Sequence, residues 1–410
     1  MKSLRCKTPL GPVLPSVGMM MSDRRRRFGA LPVYREKRRG GYETLSWEGL
    51  YARVSRVGAA LIERGLKKGE VAAIYSRNRE EMLVFELAAM SIGAIAAPIF
   101  SEYPAYHLDY VLSHARPKFL AVSDEPHLKV VLRTKASKKI KRIFVMDAFR
   151  RRPGRKLASF DELYGDSPSI FEFRKRVRGA RPKDACLLMY TSGTTGRPKG
   201  VLLCHENILS QRKAMELLWD LKPGGRVLSY LPWHHSFGGI YELFGALYSG
   251  ACLTLDESYG KDLNLLIRNF KRVKPTIYFS VPRIHQALVE EARSSKKAEK
   301  EIFHKELQFV FTAAAALPKH VSDFYAKKGI PVVEGWGLTE TSPCVTVTRF
   351  GHKRRPGAVG VPIPGVAVKV AADGEILVKG PNVMLGYYRD RKLTRECIRR
   401  GWFHTGDFGA

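Results

Sequence analysis

The densest group of residues able to do chemistry is Tyr190-Thr191-Ser192-Gly193-Thr194-Thr195-Gly196-Arg197-Pro198-Lys199-Gly200. Three glycines, four hydroxyl side chains and one lysine follow the apolar run Ala185–Tyr190, which predicts a strand feeding a loop. Glycines let backbone N–H groups approach an anion closely, and successive amides in such a turn form an anion-binding concavity. Hydroxyls donate to phosphate oxygens, and lysine adds a compact positive charge. The chemistry predicted is the binding of a polyphosphate. The loop is not a Walker A loop, which places glycine directly before the lysine and Ser or Thr directly after it. Here Pro198 and Gly200 flank Lys199, and Val201–Leu203 predicts a strand where a Walker loop opens a helix. A ligand-free Gly/Thr surface loop is the competing reading, and it leaves eleven constrained positions in a row unexplained.

The loop resembles the phosphate-loop signature of the adenylate-forming superfamily: acyl-CoA synthetases, luciferases and peptide-synthetase adenylation domains. The resemblance runs from about Leu45 to the C-terminus, with further motifs in the family's order. It implies nucleotide contacts from Thr191, Ser192, Gly193, Thr194, Thr195, Gly196 and Lys199, with Thr194 and Lys199 in catalytic positions. Leu231-Pro232-Trp233-His234-His235-Ser236-Phe237-Gly238 is similar to the second core motif. That similarity places Trp233, His235, Phe237, Gly238 and Ala313 at an acyl pocket, with His235 also catalytic. A double His at a strand end is by itself more often structural, and His234 keeps that reading.

Thr312-Ala313-Ala314-Ala315-Ala316-Leu317-Pro318 stands where the family carries a Gly/Ala turn against adenine and acyl group, so Ala314 and Ala315 are nucleotide contacts by resemblance. Core filling remains the alternative for these alanines. Glu334-Gly335-Trp336-Gly337-Leu338-Thr339-Glu340-Thr341 resembles the adenine and metal motif, which usually has Tyr at the place of Trp336. A ring between two glycines offers a face for adenine. The resemblance assigns Glu334 through Thr339 to the nucleotide, with Thr339 on the α-phosphate. Glu340, a hard oxygen ligand, suits Mg²⁺, and Thr194 joins it in the implied metal set. Gly374–Pro381, Gly386-Tyr387-Tyr388 and Gly401–Asp407 complete the match, with Asp407 as the ribose acceptor.

These motifs need a scaffold, and the hydropathy pattern supplies one. Helical spacing over Leu45–Gly65, a strand at Val71–Tyr75, a helix at Glu80–Ser91 and strands at Ala94–Ile99 and Phe119–Val122 predict βαβ units and a parallel sheet. The alternation resumes at 184 and runs to Pro331–Glu334; after 343, short strands between Gly/Pro turns predict a small β-rich part. The expected fold is therefore α/β: a layered α/β/α adenylate-forming core with two sheet subdomains plus a small β-rich subdomain. The expected divisions are 1–23 as a disordered extension, 24–183, 184–343 and 344–410. Residues 133–183 are expected to be exposed basic connections with one strand, Ile143–Met146, and Arg24–Arg27 an exposed basic run. The chain ends three residues after Asp407, so the family's C-terminal small domain is expected to be absent.

Composition narrows the classes. Of 410 residues, 45% are apolar, which excludes disorder over the whole length. The net charge of +31 favours anionic partners. Six cysteines fall without CxxC or zinc spacing, and the simplest reading is free thiols in a reducing compartment. The apolar stretch Met82–Phe100 carries Glu86 and a proline-containing turn, so it reads as a buried helix plus strand and not a membrane span. No secretory signal pattern opens the chain.

The reaction implied by the resemblance joins a fatty acid to the α-phosphate of ATP with Mg²⁺, then transfers the acyl group to CoA, in a cytoplasmic setting. The motif context looks like bacterial long-chain fatty acyl-CoA synthetases, although the segment from Val281 to Ala313 is shorter than in many of them. Partners left open are an anionic membrane surface, a separate C-terminal domain and a homodimer; no specific nucleic acid is expected. Two alternatives stand beside this: a non-catalytic acyl-adenylate binder, and a basic membrane- or nucleic-acid-binding protein. The second would cluster aromatics with its basic runs, and residues 133–183 are poor in them.

Overall fold

Strand Val71–Tyr75 shows how the sequence makes its layers. Side chains alternate across a strand, and here both faces are apolar. Val71, Ala73 and Tyr75 pack under helices Ala105–Ala115 and Glu125–Leu132, while Ala72 and Ile74 join the core that contains helices Trp47–Glu63 and Glu80–Ser91. A sheet covered on both faces is the expected home of parallel strands. The computed structural model of the protein describes residues 3–38, 40–150, 154, 156–165, 170–191, 196–351, 355 and 358–409.

Three sheets organise these residues. The eight-stranded sheet runs Gly386–Tyr387, Lys199–Cys204, Ala185–Thr191, Ile95–Ile99, Val71–Tyr75, Phe119–Val122, Arg142–Val145, Leu157–Ser159. It is parallel from Ala185–Thr191 onward and antiparallel at the Lys199 edge. The nine-stranded sheet runs Val361–Pro362, Thr346–Val347, Val332–Trp336, Phe309–Thr312, Ile277–Ser280, Arg226–Ser229, Cys252–Leu255, Pro32–Arg38, Gly41–Ser46. A five-stranded antiparallel sheet gathers Leu4–Arg5, Ala367–Val370, Glu375–Lys379, Trp402–Phe408 and Ile398–Arg399. This is the layered α/β arrangement with a small β-rich part that the sequence implies. All six cysteines are free thiols.

The expected divisions need correction. The chain does not split at 183/184, because Ala185–Thr191 pairs in parallel with Ile95–Ile99, and Lys199–Cys204 and Gly386–Tyr387 extend the same sheet. The hairpin Pro32–Ser46 goes the other way, into the nine-stranded sheet through Cys252–Leu255. Residues 3–23 are not an extension. Leu4–Arg5 pairs with Ala367–Val368, and Ser16 caps helix Val17–Phe28, whose Val17, Met20 and Met21 are buried. Burying those side chains outweighs the polar look of the segment, since each such residue contributes about 1.5–3 kcal/mol.

Arg24 is not exposed either. It is buried with Nε donating to the Tyr248 carbonyl at 2.7 Å. Residues 133–183 hold two strands and the helix Ile170–Gly179. Phe173 and Val177, four apart on that helix, are buried against Gly58 and Gly18. Two buried apolar residues beside five charged ones leave little periodic signal to read.

Glu86 lies on helix Glu80–Ser91 inside the shared core, 1% exposed, and its Oε2 has no hydrogen-bonding partner among the described residues. Burial pushes its carboxyl from 4.5 up to about 8. Between those two values the folded chain holds a proton that the unfolded chain has released, so stability falls as pH rises through that window. Glu86→Gln is therefore expected to match the wild type near pH ~5 and to exceed it by about 1–3 kcal/mol near pH ~8. Urea unfolding at both pH values checks this, and parallel pH dependence of the two proteins would refute it.

Candidate active site

Parallel strands deliver their loops at their carboxyl ends, and ligands of open α/β sheets bind there. Three strands of the nine-stranded sheet do this, the last two of them adjacent. Arg226–Ser229 leads to the Trp233–Gly238 motif, Phe309–Thr312 to the alanine turn, and Val332–Trp336 to Gly337–Thr341. Between them lies a cleft of about 1290 Å³, counting its open mouth. His235, Phe237, Ala313, Ala314, Ala315, Glu334, Gly335, Trp336, Gly337, Leu338 and Asp407 all line it. Residues spread over 173 positions of sequence, from 235 to 407, thus meet in one place.

Two glycines are required by the geometry. A Cβ on Gly337 would lie 1.8 Å from the Pro343 carbonyl oxygen, and its φ is +157°. A Cβ on Gly335 would lie 2.5 Å from Phe311. With both in place, Trp336 sits beside the cleft, and its Nε1 donates to Asp407 Oδ2 at 3.0 Å. Asp407 comes from strand Trp402–Phe408 of the five-stranded sheet, so this bond joins that sheet to the cleft. The indole donor exists because Trp stands where the resemblance leads one to expect Tyr.

Ala314 has φ +75°, in the left-handed region where a Cβ is strained. Ala315 and Ala316 follow it, exposed into the cleft. Glu334 Oε1 accepts from the Leu317 backbone N–H, which folds the alanine turn back on its neighbouring strand.

His235 lies at the start of a tight helical segment; its carbonyl accepts from Gly239, and a π-helix, Phe237–Glu242, follows. Burial lowers its pKa, which favours the neutral imidazole. Ser236 Oγ and Thr339 Oγ1 are 3.0 Å apart, so the acyl-side and nucleotide-side motifs touch. Trp233 and Gly238 are buried behind the cleft and not on its wall: Trp233 packs edge-on against Tyr34, and Gly238 lies against the Leu231–Pro232 backbone. His234 also stays off the wall, its ring tilted against Phe100 with centres 4.9 Å apart, with burial first and His235 second lowering its pKa to about 4.

Ser192, Gly193, Thr194 and Thr195 lie outside the described residues. Their frame is described. Thr191 and Lys199 are register partners at the open end of an antiparallel pair, and Gly196 between them has φ +81°. Lys199 Nζ lies 5.7 Å from the ring centre of Tyr387. The Tyr387 hydroxyl donates to Glu340 Oε1 at 2.8 Å, and the Glu340 carbonyl accepts from Met384. Tyr387 thus stands between the lysine and the carboxylate. The Gly386-Tyr387-Tyr388 run has no role legible in its own residues, because only the sheet edge brings Tyr387 to Glu340. His114 is a second residue missed: its Nδ1 is 2.9 Å from the hydroxyl of Tyr190, at the base of the phosphate loop. No spacing signal links positions 76 residues apart.

No cluster of three or more His, Cys, Asp or Glu suited to a metal occurs among the described residues. The donor set nevertheless fits Mg²⁺. That ion is usually held by one or two carboxylates plus substrate phosphates, and Glu340 offers a carboxylate with one oxygen engaged by Tyr387.

Fold and cleft together define an α/β protein of the adenylate-forming class. The chain belongs to the AMP-binding enzyme family, which matches residues 23–388. It is 28% identical over 398 residues to the long-chain-fatty-acid–CoA ligase FadD15 of Mycobacterium bovis, covering 85% of this chain and 64% of that protein. It is 28% identical over 413 residues to the oxalate–CoA ligase of Arabidopsis thaliana, covering 98% of this chain and 76% of that one. Among solved structures, the inhibitor-bound N-terminal domain of FACL13 from Mycobacterium tuberculosis superposes with a TM-score of 0.79 at 22% identity, covering 97% of this chain and 96% of that one. The chain spans less than two thirds of the length of FadD15.

Two substitutions check this geometry. Ala314→Gly releases the left-handed strain and is expected to stabilise the protein by ~1 kcal/mol, seen as a higher melting temperature. Trp336→Phe keeps a ring face but removes the donor to Asp407. Loss of one such bond is worth about 1 kcal/mol, so AMP affinity should fall about fivefold; an unchanged affinity would detach Asp407 from the nucleotide.

Proposed function

We propose that this protein activates a fatty acid as an acyl-adenylate at the expense of ATP and passes the acyl group to CoA. The observation that carries the reading is the single cleft in which Trp336, Asp407 and the alanine turn meet His235 and Phe237. The first group suits adenine and ribose, and the second an apolar acid. The relatives support the acid–CoA ligase class, and they include both a long-chain fatty acid ligase and an oxalate ligase. The apolar wall, with Phe237, Tyr241 and Phe311, favours the fatty acid over the small dianion.

In this reading Trp336 presents its ring to adenine and Asp407 accepts from the ribose hydroxyls. Lys199, with Thr191, Ser192, Gly193, Thr194, Thr195 and Gly196, holds the triphosphate and neutralises charge that develops in the transition state. Thr339 meets the α-phosphate, and the neutral His235 borders the carboxylate of the acid. Glu340, with Thr194, would hold Mg²⁺, which supplies charge neutralisation to the phosphates. An anionic membrane surface is the proposed source of the acid; Lys138, Lys139 and Lys141 are exposed and basic. No helix among the described residues is long and apolar enough to cross a membrane.

The direct test is acid-dependent ATP–pyrophosphate exchange, with acids from oxalate to long-chain fatty acids. Exchange is expected with fatty acids; nucleotide binding without any exchange would make the protein a binder and refute activation. Glu340→Gln is expected to weaken Mg·ATP binding about tenfold or more while AMP binding stays near the wild-type value. Equal weakening of both nucleotides would sink the metal assignment.

A further inference from the structure

Thr191, Lys199 and Tyr387 stand at the ends of three adjacent strands, Ala185–Thr191, Lys199–Cys204 and Gly386–Tyr387. In the proposed function the first two hold the triphosphate, and Tyr387 holds Glu340. Successive side chains of a strand point to opposite faces. The chain neighbours of these three are Tyr190, Gly200 and Tyr388, which form one row across the same strands. Tyr190 is the register partner of Gly200, and the Tyr388 N–H donates to the Gly200 carbonyl at 2.7 Å. Tyr387 packs with the shared core on one side of the sheet, and Tyr190 and Tyr388 pack under helix Ala105–Ala115 on the other.

One residue of that helix meets the whole row. His114, in its last turn, has Nδ1 2.9 Å from the Tyr190 hydroxyl. Its ring stands edge-on to both Tyr190 and Tyr388, with centres 5.8 Å apart in each pair. A Cβ on Gly200 would touch its Cε1 at 3.5 Å, so the imidazole lies directly against the glycine beside Lys199. Tyr110, four residues earlier on the helix, stacks on the ring with centres 6.1 Å apart.

The polar contacts have a definite direction. Burial first, then the Arg389 charge, lower the pKa of His114, so the neutral ring prevails at neutral pH. The Tyr388 backbone takes a hydrogen bond from the ring, which leaves Nδ1 to accept. Burial keeps the Tyr190 hydroxyl protonated, so it is the donor. The other acceptor near that hydroxyl is the Val111 carbonyl, at a long 3.5 Å.

We propose that His114 is a positioning residue for ATP: by tying Tyr190 to Tyr388 on one face of the sheet, it sets the separation of Lys199 from Tyr387, and so from Glu340, on the other. It touches no substrate. The proposal rests on the nucleotide reading of the cleft.

The test is the affinity of the full chain for ATP and for AMP, measured separately. In His114→Leu and in Tyr190→Phe, ATP affinity is expected to fall about tenfold, while AMP affinity stays within about twofold of the wild-type value. The double variant should lose no more than either single one, because both substitutions remove the same bond. His114→Asn, which returns an acceptor near the place of Nδ1, should recover most of the loss. Unchanged ATP affinity in the single variants overturns the proposal, as does equal weakening of ATP and AMP, which a general loosening of the fold would produce. Additive losses in the double variant, or ATP binding by His114→Asn no better than by His114→Leu, also overturn it. Tyr190→Phe decides if His114→Leu does not fold. A wild-type chain that binds neither nucleotide overturns the nucleotide reading and this proposal with it; the outcomes above overturn this proposal alone.

Discussion

The hydrogen bond from Tyr387 to Glu340 fixes the relation between the two halves of the nucleotide cleft. Tyr387 belongs to the edge strand that pairs with Val201 and Leu202, directly after Lys199. Glu340 belongs to the turn after Val332–Trp336, in the other large sheet. The Met384 N–H on the Glu340 carbonyl adds a second tie. Lysine and carboxylate, brought by different sheets, are held at a set separation before any ligand arrives. Preorganised charges of this kind need not reorganise when charge develops on a phosphate.

A sheet edge is what makes such a tie available. Gly386–Tyr387 is only two residues long, and it pairs on one side alone. Its other side faces the Glu340 turn. Short edge strands are common ways to close a sheet without inviting a further strand. Here the closure also carries the side chain that binds Glu340, and Trp402–Phe408 likewise brings Asp407 to Trp336. The second pairing depends on an indole N–H, a donor at a different position from a tyrosine hydroxyl.

Local pattern made much of this legible. The strand–loop–strand frame of the phosphate loop and the helices with a clean apolar stripe such as Leu50, Val54, Val57 and Leu61 follow from spacing, and the motif residues on the cleft wall from the family resemblance. Pairing between distant strands did not. Nothing local says that Ala185–Thr191 joins Ile95–Ile99 and not the strands that follow it, or that Pro32–Ser46 crosses to Cys252–Leu255. The N-terminal helix was hidden for another reason: its buried face includes Val17, Met20, Met21 and Phe28, and four of its twelve residues are consecutive arginines. Trp233 and Gly238 illustrate the reverse error, since a motif fixes residues that shape the turn as well as residues that touch the ligand.

Charge shows the same gap between count and place. A net +31 suggests a strongly positive surface, yet Arg24 and Arg212 are buried, and Arg79 is bound to Glu81 and Asp147. Around the cleft the balance reverses: Glu334 and Asp407 line it and Glu340 lies beside it, against Lys199 at the far edge. A triphosphate placed there meets more fixed negative than positive charge from these four side chains. Like charges at short range in a low-dielectric cleft repel strongly. In the proposed reading, a divalent cation held by Glu340 would offset part of that repulsion by turning a repelling carboxylate into a ligand. The excess of positive charge elsewhere attracts a polyanion from a distance; what holds it in the cleft is a local arrangement that the composition does not reveal.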